Sequence, residues 1–127
     1  MNEMTSCARE EWPAITMVIF RNYQWGAEKR NSILWYDNNF VGTELDPELS
    51  YAKVAEGCGL KGVIVRTMEE LTQNLRKACE DQDKGITTFI EVILNQELGE
   101  PFRRDAMKKP VEIAGIDSSD MSQEQIG

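Results

Sequence analysis

The sequence predicts an α/β fold built on a partial parallel sheet, and three observations carry that expectation. Two apolar runs without polar alternation, Ala14 to Phe20 (AITMVIF) and Thr87 to Leu94 (TTFIEVIL), read as strands covered on both faces. A shorter run, Gly62-Val63-Ile64-Val65, lies between them, and helical spacing fills the intervals, so the order is strand, helix, strand, helix, strand. The composition, 41% hydrophobic and 28% charged over 127 residues, is that of one ordinary globular domain. Folding at this size buries roughly two-thirds of the extended-chain surface, enough for a core without disulfide or metal staples.

Taken in order, Met1 to Trp12 places Met4, Cys7 and Ala8 at helical spacing, and Pro13 ends the pattern. Met1 and Asn2 lead straight into an amphipathic turn without a capping signature, so the helix is expected to begin before the chain does. Ala14 to Phe20 is expected to be a central strand. The polar run Arg21-Asn22-Tyr23-Gln24-Trp25-Gly26 then falls at its carboxyl end, where open α/β sheets bind ligands.

After a stretch rich in aromatics and Asn (Trp35, Tyr36, Asn38, Asn39, Phe40), Asp46-Pro47 supplies an N-cap and a first-turn proline for a second helix. Tyr51, Val54, Ala55 and Cys58 share one of its faces, and Gly57 or Gly59 ends it in the left-handed conformation. Thr67-Met68-Glu69-Glu70 fits a capping box, and Met68, Leu71, Leu75 and Ala78 extend that helix's buried face. Beyond Gly99 the patterning weakens: residues 99–110 carry a net charge of +2 and residues 111–127 carry −4. The end of that acidic tail is expected to be disordered.

Composition also excludes function classes. A net charge of −8 repels phosphate backbones and anionic lipid headgroups, so neither nucleic acid nor a membrane surface is an expected partner. No apolar stretch approaches the roughly 20 residues of a membrane helix, and no secretory signal opens the chain, which points to a cytoplasmic protein. Cys7, Cys58 and Cys79 are odd in number and widely spaced, as for reduced core thiols. The absence of histidine removes Ser-His-Asp and Cys-His catalysis. Chemistry is left to carboxylates, amides, backbone or a cofactor.

The segments AITMVIFRNYQWGAEKRN, FVGTELD and TTFIEVILNQELGEPFRRDAMKKP carry a resemblance that covers residues 1 to about 110. They are similar to the carboxy-terminal part of the pyrophosphate-binding domain in thiamine diphosphate enzymes of the acetolactate synthase type. The resemblance implies that domain's three-layer parallel-sheet fold in incomplete form, with residues 111–127 as a tail. The family's cofactor motif opens with Gly-Asp-Gly and closes with Asn-Asn after the next strand. Only its close is present here, with Arg21 in place of the first Asn and Asn22 matching the second.

By that resemblance the Asn22 amide oxygen and the Gln24 main-chain carbonyl are Mg²⁺ ligands, and Tyr23, Trp25 and Gly26 line the cofactor mouth. Neutral hard oxygens suit Mg²⁺, which takes six of them at about 2.1 Å and few from protein. Glu28, just beyond the turn, matches an acidic residue that aids proton transfer in related decarboxylases, against the plainer reading of a solvated helix carboxylate. Arg103 and Arg104 form a bidentate pair suited to phosphate or sulfonate oxygens, or alternatively to acidic surface residues.

The opening half of the cofactor motif and the remaining domains of such an enzyme are absent from the sequence, which implies a fragment inactive by itself and unable to hold thiamine diphosphate and Mg²⁺ tightly. Its expected partners are those domains or further copies of itself, in a homo-oligomer. A non-catalytic α/β association module is the competing class.

Overall fold

A computed structural model describes residues 2–98. Among them the elements run α1 (Asn2–Cys7), β1 (Thr16–Arg21), α2 (Gly26–Trp35), α3 (Tyr51–Gly57), β2 (Lys61–Val65), α4 (Met68–Gln82) and β3 (Thr88–Ile93). The described residues group into two compact units, one of residues 2–23 and 46–95, the other of residues 24–45 and 96–98. The excursion separates because its polar contacts are with itself and with the segment after β3. The boundary expected near residue 110 and the acidic tail lie outside the described residues.

The first unit holds the predicted sheet. Its three strands are ordered β1-β3-β2 and both pairings are parallel. Ala55, Leu60 and Phe89 form a core on one face, joined by Met4 and Cys7 from α1, Met17 and Ile19 from β1, and Tyr51. Val65, Ala78, Ile90 and Val92 form the other, under α4, with Val63 and Leu71. Helices therefore cover both faces, as a parallel sheet requires.

β1 does not occupy the predicted central position. β3 does, with every residue but its last buried, whereas β1 is an edge of the described sheet with Val18 40% and Phe20 65% exposed. β3 inserts between β1 and β2, and no β1 side chain joins the cluster beneath α4. An unalternating apolar run reports two apolar faces but not which element covers each.

Local chemistry explains the start of α4 and the end of α3. Thr67 and Glu70 form the expected capping box at α4, and Gly59, at φ +92°, takes the left-handed position after α3. Along α4, Ala78 and Leu71 face the core while Met68 and Leu75 are exposed. α1 is shorter than predicted, closing at Cys7 as Arg9 and Trp12 enter turns. Cys7 and Cys58 are half-buried free thiols, but Cys79 is exposed rather than in the core.

α3 begins at Tyr51 with Ser50 as its N-cap, not at Asp46-Pro47. The Asp46 and Pro47 carbonyls accept from Arg21 Nη2 at 3.1 Å each, which holds this segment out of a helix. Arg21 Nη1 donates to Glu91 Oε1 at 2.7 Å, and the two side chains are 6% and 0% exposed. Glu91 Oε2 accepts from the Ser50 hydroxyl and the Ala52 N–H, each at 2.9 Å. One buried ion pair thus joins β1, β3 and the start of α3.

At Gly62 a Cβ would lie 2.5 Å from the Ala52 carbonyl oxygen, so β2 and α3 approach too closely for any side chain there. Gly62→Ala is expected to destabilise the chain by about 1–3 kcal/mol, the usual penalty of overpacking, and urea unfolding measures it.

Burial pushes the Glu91 pKa up, but the Ala52 N–H, the Ser50 hydroxyl, Arg21 and the Tyr51 backbone together outweigh it and hold the group below its ordinary 4.5. Asp81 is likewise held below 3.8, chiefly by its hydrogen bond from Lys61. Both folded values are depressed, so their stabilisation is present above the ordinary values and is lost as pH falls through the folded ones. Glu91→Gln should cost about 3–5 kcal/mol near neutral pH by leaving Arg21 buried and charged, and should flatten the acid limb of a stability-against-pH curve.

Candidate functional site

The candidate site grows from the end of β1. Arg21 is the last residue of the strand, in register with Ile93, and Leu94 N–H donates to its carbonyl at 2.8 Å. Asn22, half-buried, follows at the carboxyl end of the parallel sheet, where the sequence places it. Tyr23 then adopts φ +60°, a left-handed conformation unusual for an aromatic residue. Such a conformation costs roughly 1–3 kcal/mol and persists only where its surroundings hold it.

The guanidinium of Arg21 contributes to that hold. Its Cζ lies 4.3 Å from the Tyr23 ring centroid and 5.5 Å from that of Tyr51. A shielded cation over an aromatic face contributes on the order of 1–2 kcal/mol, comparable with the strain. The chain therefore bends sharply right after Asn22.

The remaining predicted residues open the second unit. Gln24 is buried, pairs in an antiparallel bridge with Glu44, and donates from Nε2 to the Gln96 carbonyl at 2.9 Å. That side-chain bond anchors the residue whose main-chain carbonyl is the expected ligand. Trp25, at the N-cap position of α2, is 57% exposed, so it is not an ordinary core aromatic. Gly26 is the first residue of α2. Glu28 lies exposed in its first turn, where a carboxylate is favoured by the helix dipole alone.

Glu44 is engaged by Lys29 and by Gln96 Nε2, and the Lys29 hydrogen bond is the main cause of its lowered pKa. Lys29 also faces the Phe40 ring at 5.6 Å. Asp46 Oδ1 accepts from the Glu48 N–H at 2.8 Å, closing a turn. Arg103 and Arg104 lie outside the described residues.

Among the described residues no group of three or more Cys, Asp or Glu side chains converges on a metal position. The donors that the resemblance names, the Asn22 amide and the Gln24 carbonyl, are neutral hard oxygens of the kind Mg²⁺ accepts when other oxygens complete its shell. Sequence reasoning missed the Arg21–Glu91 pair and its tie to Tyr23. The signal was present as one lone charge of each sign in otherwise apolar strands.

Residues 1–92 match the family described as thiamine pyrophosphate enzyme, C-terminal TPP binding domain. The chain is 80% identical over 121 residues to a probable sulfoacetaldehyde acetyltransferase of Rhizobium meliloti (strain 1021), covering 95% of this chain and 20% of the relative. It is 66% identical over 126 residues to a sulfoacetaldehyde acetyltransferase of Roseovarius nubinhibens, covering 99% of this chain and 21% of that protein. A third, from Rhodobacter capsulatus, is 69% identical over 121 residues, 95% of this chain and 20% of the relative. The chain thus spans about a fifth of the length of the curated relatives it matches. No solved structure gives a significant match. With the family match covering most of its length and a parallel sheet that carries the expected polar turn at a strand's carboxyl end, the chain belongs to the thiamine pyrophosphate enzymes, as part of their C-terminal cofactor-binding domain.

Proposed function

We propose that the chain is the C-terminal part of a thiamine diphosphate- and Mg²⁺-dependent sulfoacetaldehyde acetyltransferase, which converts sulfoacetaldehyde and phosphate into acetyl phosphate and sulfite. The observation that carries this reading is the 80% identity over 95% of the chain to the Rhizobium meliloti relative of that name. Bound thiamine diphosphate supplies the electron sink for the carbanion chemistry. The chain's own residues bind and orient. Asn22 offers its amide oxygen and Gln24 its carbonyl to Mg²⁺, Tyr23, Trp25 and Gly26 line the cofactor mouth, and Glu28 moves a proton near the substrate. Arg103 and Arg104 hold phosphate or sulfonate oxygens through paired N–H groups.

The same reading makes the isolated chain inactive, because the rest of the metal shell and the pyrimidine environment belong to other parts of the enzyme. Exposed Val18 and Phe20 on β1 support contact with those parts or with further copies in a homo-oligomer. A cytoplasmic setting completes the proposal. It is in keeping with the three free cysteines, and no helix among the described residues is long and apolar enough to cross a membrane.

Titrating thiamine diphosphate and Mg²⁺ into the isolated chain by calorimetry should give no tight binding, and tight binding would overturn the proposal. Joined to the remaining part of the Rhizobium meliloti relative, the chain should support phosphate-dependent release of sulfite. In that chimera Asn22→Ala should weaken Mg²⁺ and diphosphate affinity by roughly 1.5–3 kcal/mol with the melting temperature little changed. Lower stability with unaltered affinity would make Asn22 a turn residue instead.

A further inference from the structure

We infer that Arg21 is a positioning residue for the turn that carries Asn22, fixed by Glu91 on one side and bearing on Tyr23 on the other. The inference rests on the proposed function, since it takes Asn22 as a metal ligand. Three observations lead to it. The turn is strained, with Tyr23 at φ +60° immediately after Asn22. The Arg21 guanidinium is immobilised, its Nη1 on Glu91 and its Nη2 shared between the Asp46 and Pro47 carbonyls. Its Cζ stands 4.3 Å from the Tyr23 ring centroid. Arg21 is thus the link between a fixed carboxylate in the middle of the sheet and the strained residue beside the ligand.

Core stability alone does not call for this arrangement, because well-packed apolar residues replace buried ion pairs at little or no cost in stability. The pair does have a use next to a cation site. A guanidinium one residue from a Mg²⁺ ligand would oppose the metal, but Glu91, 2.7 Å away, cancels its charge. What is left is a fixed guanidinium over the Tyr23 ring. Lysine cannot replace it: an ammonium can meet Glu91 but cannot also bridge both carbonyls and reach the Tyr23 ring.

The test uses the chimera described above, with Mg²⁺ affinity measured at saturating thiamine diphosphate and the melting temperature followed in parallel. Arg21→Lys should stay folded and lose about ten- to a hundredfold in Mg²⁺ affinity, the range usual for groups that orient a metal ligand. Should that variant fail to fold, the double variant Arg21→Gln with Glu91→Gln decides. It buries no charge, so it should stay folded and show the same loss of affinity. Wild-type Mg²⁺ affinity in the folded variants, with Asn22→Ala still impaired, would overturn the inference and leave the proposed function standing. If Asn22→Ala itself binds Mg²⁺ normally, the ligand reading fails and this inference fails with it.

Discussion

A carboxylate in the middle of the central strand sets the terms for the sheet-bearing unit. Glu91 is fully buried, and an uncompensated charge there would cost several kcal/mol. Its compensation comes from three places at once: Arg21 from β1, and the Ser50 hydroxyl and Ala52 N–H at the start of α3. The register follows, because Ile19 stands opposite Glu91 and a slip of one residue would turn the arginine to the other face. The path into α3 follows as well, since the arginine's second nitrogen holds the Asp46 and Pro47 carbonyls.

Features that local chemistry decides were legible in the sequence. The capping box of Thr67 and Glu70 and the left-handed Gly59 depend on residues within one turn of each other, and both stand where they are expected. The start of α3 was not legible, because Asp46-Pro47 is the stronger local signature and a tertiary contact from Arg21 overrides it. α2 carries no apolar stripe and buries none of its residues, so nothing in its pattern separates it from a polar loop. The place of β1 within the sheet depends on which strand inserts beside it, and periodicity holds no information on that.

The candidate site divides along the same line. The placement of Asn22 at a strand's carboxyl end is legible from strand order, and its proposed role as a ligand comes from the resemblance to the family. The left-handed conformation of Tyr23 is not legible, because no glycine or asparagine marks the position and the conformation is sustained by a ring contact with Arg21. Seen one at a time, Arg21 looks like a departure from the family's Asn-Asn and Glu91 like a flaw in an apolar strand. Only the fold shows that each accounts for the other.

Charge accounting then indicates what this part of the protein contributes. Three ion pairs among the described residues each lie within one unit: Arg21 with Glu91 and Lys61 with Asp81 in the first, Lys29 with Glu44 in the second. Asn22 brings no formal charge to the turn at the end of β1. Mg²⁺ is usually held by one or two carboxylates together with phosphate oxygens, so in the proposed site the negative charge would come with the diphosphate and from residues other than Asn22 and Gln24. The contribution of this chain to the proposed site is therefore geometric: a neutral amide set at a fixed bend, on a strand whose position a buried ion pair has already decided.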